Sequence, residues 1–319
     1  MTVVAVSGPE GALRTRISEA LEQVFDEVVN VTFDIDQVSL DEVEWIVHLA
    51  FSDDSDQREL IGLLDIAGER DVSRLVLVSS AMVYGAWPNN AVPLSEDAAV
   101  RPNPESEFAV HQADAERTAL DWADRDPERR VTILRPTAVA SPSASGLMGE
   151  ALIAAAPIRT RRDDPPQQFV HLDDLATAVA TVVQLDESGV FNVAPDGWLT
   201  AREVQELLGA RPIIRLPIPL PGRLDRYIAR RVGHQAPTGL LPYTRYSWVV
   251  ANDRLRATGW VPRYGNDQVF VATDAGMPWD SMNAKQRQSV SLFVGTASLL
   301  GLIYGVISWI RRVALRDDV

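Results

Sequence analysis

Cysteine is absent from this 319-residue chain, which excludes disulfides, thiol nucleophiles and thiolate-bound metals together. Histidine is scarce as well: His48, His111, His171 and His234 stand far apart, without the close pairing of a zinc site, so no metal is expected. Every basic residue is an arginine except Lys285. Chemistry that needs a side-chain amine therefore has one residue to draw on. Positive charge is in the minority, since 30 basic against 44 acidic residues leave a formal charge of −14. A polyanion would be repelled by most of such a surface, which excludes nucleic acid as a partner. The N-terminus runs from Met1 directly into Val3-Val4-Ala5-Val6, with no charged leader and no cleavage site, and predicts no signal peptide.

One long run does lack charge altogether. Residues 290–310, VSLFVGTASLLGLIYGVISWI, would form a helix about 31 Å long, matching a hydrocarbon core of roughly 30 Å. Lys285 and Arg287 precede it, Arg311, Arg312 and Arg316 follow it, and Tyr304 and Trp309 lie toward the second interface. The run reads as a single transmembrane helix in the inner (plasma) membrane, with 311–319 as a short tail. Without a signal sequence the large N-terminal part is expected on the cytoplasmic side. Ala297, Gly301 and Gly305 form a stripe of small residues suited to self-association or to a membrane-protein partner.

The remainder alternates apolar runs with helical periodicity. Runs at 3–6, 28–33, 45–50, 75–78 and 131–134 are separated by helical patterns through Ile17, Ala20, Leu21 and Val24 and over 57–69 and 107–123. Continuous apolar strands between helices are strands covered on both faces. The expected fold is α/β, a Rossmann-type doubly wound parallel sheet whose ligands bind at the carboxyl ends of its strands. Beyond residue 140 the chain becomes rich in proline and glycine. A domain over 1–272 is expected, with a smaller lobe mainly from 141–168 and 196–265. The polar stretch from 266 reads as leading out of it, and 273–289 as a linker to the membrane.

Six segments, in order, resemble the NAD-dependent epimerase/dehydratase family, the extended short-chain dehydrogenases/reductases. They are the glycine turn at 7–14, Val47-His48-Leu49-Ala50, Val78-Ser79-Ser80-Ala81-Met82-Val83-Tyr84-Gly85, Leu134-Arg135-Pro136, Phe169-Val170-His171-Leu172-Asp173-Asp174 and Phe191-Asn192-Val193-Ala194. The resemblance implies an NAD or NADP site around Ser7, Gly8, Gly11, Arg14, Thr32, Leu49, Ala50 and Ser79. Glycines in such a turn let a pyrophosphate approach the helix N-terminus. Arg14 stands in place of the third glycine, either solvated on the helix or meeting a phosphate, and Thr32 stands where an acidic residue would hold the ribose. The cofactor site is expected to be weakened.

The resemblance also implies a tyrosine acid or base and, four residues later, a lysine that lowers its pKa. At those positions the chain carries Phe108 and Gln112. A phenyl ring has no proton to transfer, and a neutral amide lacks the field of a cation. The chain is therefore read as a degenerate, membrane-anchored family member that binds NAD(P) or another nucleotide as a scaffold, sensor or subunit of a membrane complex. The alternative is an active enzyme on a nucleotide-sugar or lipid-linked substrate. It would use Ser80 to orient substrate and Tyr84 or His111 to shuttle the proton.

Overall fold

The computed structural model describes residues 2–31, 40, 42–50, 54–144, 148–156, 158–160, 165–209, 214–216, 239–240 and 242–274. Six parallel strands form the main sheet. They are β1 (Val3–Ser7), β2 (Glu27–Val31), β3 (Val43–Leu49), β4 (Arg74–Val78), β5 (Arg130–Pro136) and, after three short strands named below, β9 (Gly189–Val193). Their order across the sheet is β2-β1-β3-β4-β5-β9. The apolar runs form strands because alternate residues find a helix layer on either face. Val4, Val6, Val47, Val76 and Val78 pack against α1 (Ala12–Glu22) and α5 (Leu172–Gln184). Ala5, Ile46, Leu75, Leu77 and Ile133 pack against α2 (Asp54–Glu69) and α3 (Glu107–Ala123). Each fully buried aliphatic side chain contributes about 1.5–3 kcal/mol relative to exposure. The Trp122 indole N–H donates to the Leu64 carbonyl at 3.1 Å and fixes α3 on α2.

The topology places the site. From β1 the chain turns through α1 to β2 on one side, whereas β3 pairs with β1 on the other. Crossovers that diverge from β1 and β3 leave a crevice above their carboxyl ends, which is where open α/β sheets bind ligands. The floor of that crevice is the turn after Ser7.

The smaller lobe is built from β6 (Ala138–Ala140), α4 (Met148–Ala155), β7 (Ile158–Thr160), β8 (Phe169–His171), α6 (Ala201–Leu208), β10 (Ile214–Leu216) and α8 (Asn266–Thr273), whereas α7 (Asp253–Ala257) packs against β9 of the main sheet. The lobe shares one core with the segment that follows β4. Tyr84, Leu152, Phe169, Tyr243, Trp248 and Phe270 are buried together, and the Tyr243 hydroxyl donates to the Met82 carbonyl at 2.8 Å. Lobe and sheet accordingly form one compact unit, Met1–Asp274. Residues 266–273 correct the expectation of a polar lead-out: they form α8, with Val269 and Phe270 buried and the Phe270 ring 5.8 Å from that of Phe169. Among the described residues no helix is long and apolar enough to cross a membrane. The expected span at 290–310, the small-residue stripe and Thr32 lie outside the described residues.

Candidate functional site

The turn between β1 and α1 is held from below and open above. The Ser7 hydroxyl lies 2.9 Å from His48 Nδ1, joining the ends of β1 and β3. Gly8 has φ +122°, and a Cβ there would come within 2.7 Å of the Leu49 carbonyl oxygen, so only glycine lets the turn lie this close to β3. At Gly11 a Cβ would meet nothing within 4 Å. Helix α1 begins there with no side-chain cap and no acid in its first turn, leaving its first N–H groups to face the crevice. Arg14 is not solvated on the helix, one of the two readings the sequence left open. It is 8% exposed, and it donates to the Gly8 carbonyl (3.1 Å) and to Asn30 Oδ1 (3.1 Å), so it ties the turn to β2. Burial of its alkyl stem beside β2, with the guanidinium paired, replaces the close helix–strand contact that a glycine would make. Arg14→Ala should therefore destabilise the fold by about 1–3 kcal/mol, measured by urea denaturation, because the Gly8 carbonyl loses its partner.

The second half of the site is α3 against the ends of β4 and β5. Ser106 caps the helix by accepting from Ala109 N, and the buried face recurs at Ala109, Gln112, Ala115, Glu116, Ala119 and Trp122. Glu116 is buried and fully paired. It accepts from Ser79 Oγ (2.7 Å), Arg135 Nε (2.9 Å) and Arg135 Nη2 (2.6 Å). Arg135 Nη1 also donates to the Tyr84 hydroxyl (2.9 Å), which donates to Asn192 Oδ1 (2.8 Å). Burial pushes the Arg135 guanidinium down, but the hydrogen bonds and charge of Glu116 outweigh it and hold the group above its ordinary value. Burial raises the Tyr84 phenol, with the Arg135 cation opposing. One turn before Glu116, Gln112 is 1% exposed and its Oε1 has no hydrogen-bond partner. Thr137, just beyond β5, is 3% exposed with its Oγ1 likewise unpartnered.

The sequence profile of the NAD dependent epimerase/dehydratase family matches residues 15–194, more than half of the chain. The chain belongs to this family. An uncharacterised protein of Mycobacterium tuberculosis (strain ATCC 25618 / H37Rv) is 27% identical over 206 residues, 62% of this chain and 53% of that protein. Another, of Sinorhizobium fredii (strain NBRC 101917 / NGR234), is 26% identical over 226 residues, 66% of this chain and 54% of that protein. The chain thus spans about half the length of the curated relatives it matches. Among solved structures, RMD from Pseudomonas aeruginosa complexed with NADPH aligns with a TM-score of 0.60 at 20% identity, covering 86% of this chain and 97% of that one. UDP-N-acetylglucosamine 4-epimerase from Bacillus cereus aligns with 0.59 at 16%, covering 86% and 98%. These likenesses show the fold.

Against the family's motifs, the expected residues fall into two groups. Ser7, Gly8, Gly11, Leu49 and Ala50 do converge at the crevice floor, Ala50 through its N–H to the Val78 carbonyl at 3.1 Å. Ser79 lies at the end of β4 but gives its hydroxyl proton to Glu116. Ser80 caps the short 3-10 turn Ala81–Tyr84, accepting from Met82 N at 3.2 Å. Tyr84 is buried with its hydroxyl engaged on both sides, so releasing its proton to a substrate would break the bond to Asn192. Phe108 packs at the edge of the lobe core, one turn from Gln112, and His111 is half-buried on the flank of the same helix. His171 is an N-cap: its Nδ1 accepts from Asp173 N at 3.1 Å, its ring stacks on Tyr264 at 3.9 Å, and burial lowers its pKa. Being neutral, it makes no ion pair with Asp173, which is held instead by Arg16 at 2.7 Å.

The sequence motifs include Arg135 and Asn192 without giving them a role, and Glu116 falls only within the helical pattern over 107–123. The readable signal was spacing, since Glu116 follows Gln112 by one helical turn and must share its buried face.

Proposed function

We propose that this chain is a membrane-anchored family member that binds a nicotinamide dinucleotide and holds it without the family's proton relay, as a sensor, scaffold or subunit of a membrane assembly. The observation that carries this reading is the pair Phe108 and Gln112, one turn apart on α3, in a chain whose one lysine is Lys285. Among the described residues there is no lysine ammonium to lower the pKa of a phenol beside the strand ends. Tyr84, the nearest phenol in the motif, is shifted the wrong way for a general acid or base at neutral pH, because burial raises it.

The residues present fit a dinucleotide. The Gly8–Gly11 turn leaves room for a pyrophosphate at the uncapped start of α1. The unpaired Gln112 Oε1 and Thr137 Oγ1 offer polar groups near the ends of β4 and β5. A bound dinucleotide supplies hydride chemistry at its nicotinamide, and this chain's residues bind it, exclude water and hold its orientation. Several structural neighbours were solved with such a cofactor, RMD with NADPH and the dTDP-glucose 4,6-dehydratase of Bacillus anthracis with NAD. The uncharged stretch 290–310 supports a single-pass anchor in the inner membrane with the 1–272 domain cytoplasmic. Ala297, Gly301 and Gly305 support pairing in the bilayer.

The test uses the full chain in detergent micelles, titrated calorimetrically with NAD⁺, NADH, NADP⁺ and NADPH and assayed for turnover of UDP-sugars. At least one dinucleotide should bind and no sugar should turn over. Ala12→Glu sets a carboxylate at the first, exposed position of α1, where it favours the helix but opposes a pyrophosphate, and should weaken binding roughly tenfold. Silence for all four dinucleotides overturns the binding reading. Turnover that disappears in Ser80→Ala overturns the non-catalytic one and returns the choice to Tyr84 or His111.

A further inference from the structure

An arginine keeps its positive charge at any pH a protein meets, so burying part of its guanidinium without a partner costs stability. Arg245 is in that position. It belongs to loop 243–248, which is short and closed at its base: the Trp248 indole N–H donates to the Tyr243 carbonyl at 3.1 Å, and the Arg245 and Tyr246 N–H groups both donate to the Pro242 carbonyl at 2.9 Å. Two outside bonds pin the loop to the segment after β4. The Tyr243 hydroxyl donates to the Met82 carbonyl, and Asn90 Nδ2 donates to the Ser247 carbonyl, each at 2.8 Å. Among the described residues, however, Arg245 Nε and Nη2 find no hydrogen-bond partner, although both are shut off from water. Ser247 Oγ, two residues on, is dry and unpartnered as well. Water is therefore not what completes these groups, and the lack belongs to the loop rather than to one strained side chain.

Nε and Nη2 lie in one plane on one edge of the guanidinium, so covalent geometry alone sets their N–H bonds side by side, at the spacing of two carboxylate oxygens. We propose that this edge of Arg245 is a binding site for the carboxylate of a small organic acid. Charge selects the class. Tyr243, Thr244, Tyr246, Ser247 and Trp248 are neutral, so one guanidinium balances one carboxylate. A phosphate group would bring about 1.5–2 negative charges into a protein whose formal charge is already −14. Arg245 as a whole is half-buried, so an acid reaches the edge from solvent once the side chain turns. The site stands apart from the dinucleotide reading, which rests on the turn after β1.

The experiment follows melting temperature and calorimetric binding of the full chain in detergent micelles with sodium benzoate, inorganic phosphate and sodium chloride. It compares the wild type with Arg245→Met, Arg245→Lys and Ala12→Glu. Benzoate should bind the wild type and raise its melting temperature, whereas chloride at equal ionic strength should not. Arg245→Met removes the charge at similar length, so the empty protein should melt about 2–4 °C higher and its benzoate affinity should fall at least about tenfold. Arg245→Lys keeps the charge without the planar fork and should also weaken benzoate about tenfold. An arginine with only a structural role would lower the melting temperature on conversion to methionine and leave benzoate binding unmoved. Benzoate binding that survives in Arg245→Met, or no benzoate response in the wild type, overturns the proposal. Phosphate that binds more tightly than benzoate and is lost in Arg245→Met overturns the carboxylate assignment. Anion binding lost only in Ala12→Glu belongs to the turn after β1 and overturns the Arg245 site, while the dinucleotide reading stands.

Discussion

Glu116→Ala is expected to cost about 3–5 kcal/mol of stability, because it leaves the Arg135 guanidinium buried and uncompensated. The pair is closed to water, with side-chain exposures of 5% for Arg135 and 4% for Glu116 at 2.6 Å. It is also the hub of a wider network. Through Ser79 it holds the end of β4, and through Tyr84 and Asn192 it reaches the carbonyl of Ala251 at 3.1 Å, in the segment that leads into α7. Removing the carboxylate therefore strands Ser79 Oγ as well as Arg135, and urea denaturation should show the loss as a midpoint shift at nearly constant slope. Glu116→Leu combined with Arg135→Met provides the contrast, since a buried pair replaced as a unit by apolar groups is often neutral or stabilising. If the single variant lost less than about 1 kcal/mol, the range of an exposed pair, the network would not hold α3 to the sheet.

This network explains why the fold was more legible than the site. The parallel sheet follows from apolar runs with helices between them, and helix 107–123 was read with the bounds the structure gives, since both are properties of neighbouring residues. The solvated reading of Arg14 failed because composition places an arginine on a helix in solvent. Its burial depends on two partners, the Gly8 carbonyl and Asn30, that only the β1–β2 pairing brings near. The lead-out from 266 was misread for a related reason, since Val269 and Phe270 are too few to mark a helix until Phe169 is known to face them. Glu116, Arg135 and Asn192 lie far apart in sequence, and nothing local says that their side chains meet. The lack of a partner for Gln112 is a property of everything around it, and so could be found only in the folded chain.

Stability should also fall by about 3 kcal/mol as pH is lowered from 6.5 to 4, and His48 is the reason. Burial pushes its imidazole down to about 4, and the ring lies between β1 and β3 with Nδ1 against the Ser7 hydroxyl. In the unfolded chain the same group titrates near 6.5. Between those values the unfolded state binds more protons than the folded one, so the stabilisation is complete above 6.5 and drains away as pH falls through the window. His171 acts in the same direction, because burial lowers its pKa and protonation would end its capping of α5. Two carboxylates bear on the lower end. Asp174, raised by burial against the pull of the Arg263 and Tyr264 N–H groups, opposes the trend just above the ordinary carboxylate range. Asp173 is held below that range, burial being outweighed by the hydrogen bond from Arg16, and adds loss only at still lower pH. The decisive comparison is urea denaturation at pH 7, 6, 5 and 4.5 for the wild type and for His48→Asn, whose amide can still meet Ser7 but does not titrate. The wild type should lose stability steadily and His48→Asn should be much flatter. Equal slopes in the two proteins would move the acid sensitivity away from the floor of the crevice.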